Sequence, residues 1–449
     1  MRPSRNPCQI ALLLAMVFSF GAFASAKKMI GINVVLKTSI TNSVLADLGQ
    51  HGKIRDIFYE IRGVSMIAAS SQLTGIQHLP YVAYANPDQP RNTGPVSAVP
   101  VSDFSGGRST WDMDAINVTP GPGSGNRGVA FDGTGVYVAI LDTGLLQTWR
   151  LYFPANRIAS QYATTFQGGG AADNGATPTP PNKWQQDQNS HGTHVASTIL
   201  GYSFFGIPTQ GVAPKSTVIP VKVLNQNGSG WSSAIAQGIL YVTNLHRNQL
   251  AGEPMVVNMS LGGSQLDALE KAAIDYAVAN GVIICASAGN AGTQGMGYPG
   301  AYPPVISAAA SGWVKQFTTP DWWYALNVPD PNNPQDFYIA SFSSRQKSGQ
   351  DLDVTAPGDD TVGPYQVNSQ QSYYFLSGTS MASPHVTGTV ALLLQKNPSL
   401  TAAQAESILE TTATPMPAGC RTVPLEGQVC WGTDATGAGL LNTGAALAQ

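Results

Sequence analysis

Charged residues are scarce in this chain of 449 residues. Asp, Glu, Lys and Arg make up 11% of it, well below the roughly 25% of an ordinary soluble domain, whereas hydrophobic residues make up an ordinary 43%. The length is enough for more than one domain and a large buried core. We therefore expect a polar but sparsely charged surface, which is more typical of a secreted protein than of a cytosolic one.

Basic clusters are missing as well. Residues 109–449 hold 13 Lys and Arg against 21 Asp and Glu, and no run of basic residues occurs among them. Nucleic-acid binding depends on cationic side chains that neutralise phosphates. This balance argues against a nucleic-acid partner.

Apolar runs of any length are confined to the first residues. Residues 10–23 are mostly apolar, but they fall short of the about 20 residues that cross a bilayer. Arg2 and Arg5 precede this run, and Ala24-Ser25-Ala26 after it has the form of a signal-peptidase site. A membrane anchor is the alternative. We interpret residues 1–26 as a signal peptide and expect a secreted protein, extracellular or periplasmic, that leaves the membrane after cleavage.

Only four cysteines occur, and Cys8 belongs to the predicted signal peptide. Cys420 and Cys430 flank a short loop, and secreted proteins can keep disulfides. We predict a bridge between these two, worth about 3 kcal/mol on a chain-entropy estimate. Cys285 lies in an apolar stretch and is interpreted as a small buried hydrophobic residue.

The chain divides into segments of different composition. Residues 27–86 combine short strand and helix patterns and are predicted to form a small α+β unit. Residues 87–108 are rich in Asn, Pro, Gly and Ser without periodicity, which predicts an exposed linker. Residues 109–449 alternate apolar strands with helical segments. We predict for them an α/β fold, with a mostly parallel central sheet flanked by helices on both faces.

The predicted strands of that sheet are 136–141, 217–223, 255–259 and 281–286, and the predicted helices are 191–200, 232–248, 265–280 and 380–395. Two stretches, 167–188 and 313–338, are rich in Pro, Asn, Gly and Trp and are interpreted as surface loops. The second stretch either shapes specificity or covers the core, and we favour the latter.

The stretch SGTSMASPHVTG at residues 377–388 holds several hydroxyl side chains, one of them at a special place. Ser380 begins an apolar helix, so its Oγ and its own N–H lie at the positive end of the helix dipole. A serine hydroxyl is a weak nucleophile unless a base takes its proton, a third group orients that base and donors stabilise the oxyanion. The chain should therefore contain a matching histidine and carboxylate.

His191 and Asp142 are the best candidates for these partners. His191 stands at the mouth of a helix in NSHGTHVAST, where it can face a cleft, and His194 lies one turn further in. Their H-x-x-H spacing also suggests a metal pair, but no Glu or Cys nearby completes a zinc site. Asp142 directly follows the apolar strand VYVAIL, and open α/β sheets carry their active sites at the carboxyl ends of strands. A turn-capping role is the alternative for Asp142.

VAILDTG, NSHGTHVAS and SGTSMASPHVTG, in this chain order, resemble the three signature motifs of the subtilisin-like serine proteases, the subtilases of peptidase family S8. GVAP, NMSLGG, ASAGNAG and VTAPG resemble further segments of the family, and the resemblance covers roughly residues 111–447. It implies peptide-bond hydrolysis through an acyl-enzyme, with Ser380 as nucleophile, His191 as base and Asp142 as the carboxylate that orients the base. It implies no cofactor for catalysis.

The resemblance also assigns binding positions. Asn290 would donate to the oxyanion together with the N–H of Ser380. Gly297 matches the base of the pocket for the residue before the cleaved bond, and its small size implies room for a large apolar side chain. The residues that would pair with the substrate backbone as an added strand are Ser260, Leu261 and Gly262.

The same resemblance suggests a function for the leading segment. Residues 27–86 resemble, more loosely, the inhibitory propeptide of the family, and residues 87–108 would contain the processing site, between Gly94 and Arg108. A permanent accessory domain is the alternative. The expected partners are protein or peptide substrates and the chain's own propeptide, and we expect a monomer.

Calcium binding is left open. The chain lacks the Asp after Asp142 and the Asn-rich loop that hold calcium in many relatives. Asp351 and Asp353, or Asp359 and Asp360, could hold an ion instead, with solvated carboxylates as the alternative. A structural calcium ion is thus considered without a place for it, and no metal site is assigned.

Two other classes of function remain alternatives. One is a non-catalytic secreted binding protein on the same fold. Such a protein would be expected to lack one of the catalytic residues, but Asp142, His191, Ser380 and Asn290 are all present here. The other is a metal-dependent hydrolase built on His191 and His194, which a chelator would inhibit. We predict a secreted, self-processing serine endopeptidase that favours large apolar residues before the cleaved bond.

Overall fold

A computed structural model describes residues 28–101, 109–119, 127–171, 182–323, 328–366 and 371–449. The predicted signal peptide, the end of the predicted linker at 102–108 and Tyr324 of the aromatic stretch lie outside these residues. Among the described residues, no helix combines the length and the apolar character needed to cross a membrane.

The leader domain (residues 28–87) is a four-stranded antiparallel sheet with two short helices. Its elements are β1 (Met29–Leu36), α1 (Asn42–His51), β2 (Lys53–Phe58), β3 (Gly63–Ala69), α2 (Leu73–Gln77) and β4 (Val82–Pro87). The strand order is β2-β3-β1-β4. The leader domain has a small core of its own, to which β1 contributes its alternate residues Ile32, Val34 and Leu36, because successive side chains of a strand point to opposite faces. The small α+β unit matches the predicted one.

The cleft segment (residues 88–101) forms two short strands, β5 (Pro90–Asn92) and β6 (Ser97–Pro100). The prediction of an exposed linker is wrong for this segment, because Asp88 and Arg91 are buried and both strands pair with the following domain. Composition reports only local preference. An extended, Pro-rich segment has no hydrogen-bond partners of its own, and here it pairs with strand edges more than 130 residues away.

The described residues from Ser109 onward form the main domain. Its elements are α3 (Trp111–Ala115), β7 (Tyr137–Asp142), β8 (Thr164–Thr165), α4 (His191–Leu200), β9 (Tyr202–Phe204), β10 (Ile207–Thr209), β11 (Thr217–Lys222), β12 (Ser229–Trp231), α5 (Ser232–Arg247), β13 (Met255–Met259), α6 (Ala268–Ala279), β14 (Ile283–Ser287), β15 (Ile306–Trp313), β16 (Phe337–Ile339), β17 (Val354–Pro357), β18 (Thr361–Pro364), β19 (Tyr373–Ser377), α7 (Thr379–Lys396), α8 (Ala402–Thr412), β20 (Gly419–Val423), β21 (Gly427–Trp431) and α9 (Thr443–Ala448).

The central sheet runs in the order β16-β15-β14-β13-β7-β11-β8, with β17 also paired to β15. All of its pairings are parallel except that of β16 with β15. Val138 and Ile140 of β7 face the core that contains α4 and α7, whereas Ala139 and Leu141 face the core that contains α5 and α6. A strand buried on both faces reads as a continuous apolar run, which explains why VYVAIL was recognisable. The predicted parallel sheet with helices on both faces is confirmed.

Two smaller predictions concern residues far from the sheet centre. Cys420 and Cys430 lie opposite each other in the hairpin of β20 and β21, and their sulfur atoms are bonded; Cys285 is buried. In the stretch 313–338, Trp322 and Trp323 are buried, and Trp322 stacks on Phe375 of β19. This part of the stretch covers the core and is not a surface loop. Indole rings bury a large apolar area, which outweighs the local preference of the surrounding Pro and Asn residues.

Candidate active site

Asp142 and His191 meet at the carboxyl edge of the sheet. Asp142 ends β7, His191 begins α4, and Nδ1 of His191 lies 2.9 Å and 3.0 Å from the two carboxylate oxygens of Asp142. Both side chains are fully buried. A Cβ on Gly192 would lie 2.3 Å from the carbonyl oxygen of Gly144, so only glycine lets the start of α4 approach the loop after β7 this closely.

The loop before His191 is held by two residues that sequence reasoning missed. Ser190 has a left-handed backbone (φ 74°), and its N–H donates to the carboxylate of Asp187 (2.9 Å). Thr143 donates its hydroxyl to Asp187 (2.7 Å) and accepts the N–H of Gly192 (3.0 Å). Thr143 lies within the motif VAILDTG, and Asp187 lies two residues before NSHGTHVAS, so their positions in or beside the motifs were the available signal.

Ser380 stands in the first turn of α7, where backbone N–H groups have no acceptor within the helix. Its Oγ donates to the carbonyl of Ser260 (3.3 Å) instead of to His191. Thr93 belongs to the cleft segment. Its hydroxyl oxygen lies 3.0 Å from Nε2 of His191, and the hydroxyl donates to the same carbonyl of Ser260 (2.5 Å). Thr93 therefore separates the predicted base from the predicted nucleophile.

Asn290 is an exposed residue beyond β14 whose amide is oriented by its neighbour. The N–H and the hydroxyl of Thr379 both donate to Oδ1 of Asn290 (2.9 and 2.8 Å). Because Oδ1 accepts twice, the NH₂ group of Asn290 is left as a donor facing away from Thr379. Since β7, β13 and β14 are neighbouring parallel strands, Asp142, Ser260 and Asn290 all follow strand ends at one edge of the sheet.

A cavity of about 530 Å³ opens beside Ser380. Four of the residues predicted for substrate contact line it. Ser260 does not line it, but its hydroxyl donates to the carbonyl of Ser380 (2.7 Å). The four are Leu261, Gly262, Asn290 and Gly297. A Cβ on Gly297 would have its nearest neighbour at 3.5 Å, an ordinary contact, so packing does not require glycine here. The absence of a side chain instead leaves the cavity wide.

The other histidines of the motifs lie away from this edge. His194 is buried one turn into α4, and its burial lowers the pKa to about 3. His385 is buried and bonds through Nε2 to Asp112 (2.9 Å). His191 is already engaged by Asp142, so the geometry gives no support to a metal pair formed by His191 and His194.

One group of carboxylates in the described residues has metal-binding spacing. Ligand oxygens of Asp351, Asp353 and Glu406 lie within 4.8 Å of one another. Asp353 is buried and accepts from Ser307 through Oδ2 (2.6 and 2.8 Å), whereas Oδ1 has no hydrogen-bond partner. Burial, followed by repulsion from Glu406 and Asp351, raises the pKa of Asp353 to about 7. Glu406, 53 residues away along the chain, was not foreseen. The alternative pair, Asp359 and Asp360, belongs to no such group.

Comparisons with known proteins point in one direction. The model of the subtilase family matches residues 133–443. An extracellular serine proteinase of Thermus sp. (strain Rt41A) is 34% identical over 373 residues, covering 83% of this chain and 76% of that protein. Subtilisin DY of Bacillus licheniformis is 37% identical over 289 residues, covering 63% of this chain and 85% of that protein.

Solved structures agree on the fold. Fervidolysin from Fervidobacterium pennivorans, a keratinolytic enzyme related to subtilisin, superimposes with a TM-score of 0.65 at 24% identity, covering 95% of this chain and 62% of that one. Sphericase superimposes with a TM-score of 0.54 at 29% identity, covering 75% of this chain and 98% of that one.

Proposed function

The chain belongs to the subtilase family of serine endopeptidases, and we propose that it hydrolyses peptide bonds of proteins through an acyl-enzyme formed on Ser380. His191 takes the proton of Ser380 and returns it to the leaving amine, and Asp142 fixes the imidazole tautomer. The observation that carries this proposal is the buried contact of His191 with both carboxylate oxygens of Asp142, beside the helix start that presents Ser380.

An inhibitor profile tests this assignment. A fluorophosphonate should label trimmed protein at Ser380, and peptide hydrolysis should be lost with the label and retained in excess chelator. Hydrolysis that stops with chelator and survives the fluorophosphonate would instead indicate the metal-dependent alternative. Trimmed protein that neither hydrolyses peptides nor takes the label would indicate a binding protein.

The oxyanion of the tetrahedral intermediate is proposed to lie between the NH₂ group of Asn290 and the N–H of Ser380. We expect Asn290→Leu to lower kcat by about 10²–10³-fold with little change in KM, because the donor acts on charge that develops only in the transition state. Steady-state kinetics on one peptide measure this split. Gln294→Leu, on the rim of the same cavity, serves as control. An equal loss in both variants would contradict the role of Asn290.

The substrate is proposed to lie along Ser260, Leu261 and Gly262, with the side chain before the cleaved bond in the cavity of about 530 Å³. The support is Gly262, which exchanges two backbone hydrogen bonds of 3.0 Å with Asn92 of the cleft segment. Backbone pairing of this kind supplies affinity without sequence preference. Gly297 leaves the cavity wide enough for a large apolar side chain.

The leader domain and cleft segment are proposed to act as an inhibitory propeptide of a secreted zymogen. The support is Thr93, whose hydroxyl lies between His191 and the carbonyl of Ser260. Substrate cannot reach the base while this segment is bound. Removal of the signal peptide, residues 1–26, would precede processing between Gly94 and Arg108, and the released domain would work as a monomer outside the cell.

A structural calcium ion is proposed for the group formed by Asp351, Asp353 and Glu406. Calcium prefers carboxylate oxygens, and the unpartnered Oδ1 of Asp353 offers one in a buried position. This ion would take no part in catalysis. It would offset the mutual repulsion of three carboxylates held close together.

We expect calcium at millimolar concentration to raise the melting temperature by roughly 3 °C or more, because binding to the folded state alone stabilises it. Differential scanning calorimetry of Ser380→Ala, which avoids self-digestion, measures the shift against chelator. Glu406→Gln should remove most of it, whereas Glu253→Gln at an exposed site should keep it. An equal shift in all three proteins would contradict the site.

A further inference from the structure

The cleft segment binds the main domain in a defined register. Asn92 exchanges both of its backbone hydrogen bonds with Gly262, and the N–H of Thr93 donates to the carbonyl of Gly228 (2.8 Å). On its other edge β5 pairs antiparallel with β12. The segment is therefore held as an extended peptide between β12 and the stretch that follows β13 at Gly262.

This register shows which residue of the cleft segment lies in each substrate-binding position. Gly94 lines the cavity beside Ser380, and two residues later the N–H of Val96 donates to the carbonyl of Ser377 (2.6 Å) on the far side of that serine. Gly94 thus occupies the position directly before the bond that Ser380 would attack. Counting back along the segment, Arg91 occupies the fourth position.

The side chain of Arg91 is fully buried against the start of α6. Its Nε donates to both carboxylate oxygens of Glu270 (3.2 and 3.0 Å), and its Nη2 donates to Glu270 and to the carbonyl of Gln265 (3.1 Å). A Cβ on Gly263 would lie 2.5 Å from the carbonyl oxygen of Pro90 and 2.7 Å from Nη1 of Arg91, so glycine at this position makes room for both the bound backbone and the guanidinium. The fourth subsite is thus shaped for a planar cation.

Glu270 is itself fully buried. Among the described residues, Arg91 provides all the side-chain hydrogen bonds that its carboxylate accepts. Burial raises the pKa of Glu270, and the charge of Arg91 opposes that effect. Asp267 lies one turn earlier and now accepts from Asn33 and Asn86 of the leader domain (2.9 and 2.7 Å). Once the cleft segment and the leader domain leave, Glu270 loses the cation of Arg91 and Asp267 loses its donors Asn33 and Asn86, which leaves an anionic subsite without a partner.

We propose that Glu270 is a specificity-determining residue that selects arginine as the fourth residue before the cleaved bond in substrates. This inference rests on the proposed function and adds a second preference to the apolar pocket next to Ser380. Arginine satisfies both oxygens of Glu270 and the carbonyl of Gln265 with one rigid fork, whereas the single ammonium of lysine cannot reach all three acceptors in this way. An apolar side chain leaves a buried carboxylate unpaired.

Quenched fluorescent peptides that differ only in the fourth residue before the bond test the subsite. The residues compared are arginine, lysine, citrulline and alanine, and citrulline has the shape of arginine without its charge. For the processed wild-type enzyme we expect kcat/KM for the arginine peptide to exceed that for the citrulline peptide by about 10–100-fold, the range for hydrogen bonds to a charged group. Lysine should fall between them.

Two variants connect this preference to its residue. In Glu270→Gln the ratio of arginine to citrulline should fall to within about twofold of one, since a neutral amide loses the charge-assisted bonds. Asp275→Asn, an exposed carboxylate on the same helix, should keep the wild-type ratio. Equal cleavage of all four peptides by wild type, or an unchanged ratio in Glu270→Gln, overturns the subsite and leaves the proposed function intact. Failure of wild type to cleave any peptide or to take a fluorophosphonate overturns both.

Discussion

Replacing Ser380 by alanine is expected to abolish peptide hydrolysis and to leave the leader domain attached. The fall in kcat/KM should be about 10⁴–10⁶-fold, because no other group can form the acyl-enzyme while the oxyanion donors and substrate contacts persist. Folding should survive, since the Oγ of Ser380 makes one long hydrogen bond of 3.3 Å with a backbone carbonyl. Activity and processing would thus be lost together while stability is kept.

Intact mass after folding measures this result. Wild type and Ser380→Ala are expressed without residues 1–26. If wild type loses the residues up to a junction between Gly94 and Arg108 and the variant stays full length, self-processing by Ser380 is established. Ser383→Ala, one turn along α7 with its hydroxyl on Asn258, is the control and should be processed. Equal trimming of all three proteins would indicate a host protease and contradict self-processing.

The main sheet and the edge that carries the candidate site were predictable because short motifs and buried parallel strands carry their signal locally. Asp142, His191 and Ser380 each adjoin an apolar run of recognisable period, so their positions at strand and helix ends followed from the pattern. Asn290, which follows β14, was assigned only by the resemblance of ASAGNAG to the family. What these four residues do depends on distances between segments, and those distances required the structure.

The cleft segment shows where sequence reasoning stops. Nothing in PRNTGPVSAV predicts that Arg91 is buried or that Thr93 contacts His191, because the partners of both residues lie about 100 to 180 residues further along the chain. Glu270 reads as an ordinary helix residue for the same reason. Its partner Arg91 belongs to the cleft segment, and only tertiary packing reveals that pairing.

Replacing Asp142 by asparagine is expected to lower kcat by about 10⁴-fold while the fold is kept. Oδ1 of Asp142 accepts the N–H of Thr143 at 2.6 Å, so this donor will hold the amide oxygen of an asparagine at the same place. The amide nitrogen then replaces Oδ2, which now lies 3.0 Å from Nδ1 of His191. Oδ1 also lies 2.9 Å from Nδ1, but it already accepts from Thr143, so we expect the NH₂ group to donate to Nδ1 and the imidazole proton to move to Nε2, where the base is needed.

The altered tautomer gives this prediction a readout that a structural defect would not produce. Imidazole ¹⁵N shifts should place the proton of His191 on Nδ1 in wild type and on Nε2 in Asp142→Asn. Asp187→Asn is the matched carboxylate: it loosens the loop through Ser190 and Thr143 but does not contact the ring, so it should lower the melting temperature more than kcat and keep the wild-type tautomer. A 10⁴-fold loss in Asp142→Asn with the proton still on Nδ1 would mean that Asp142 acts through its charge alone. The hydrogen bond from Thr143 would then have no part in setting the state of the base.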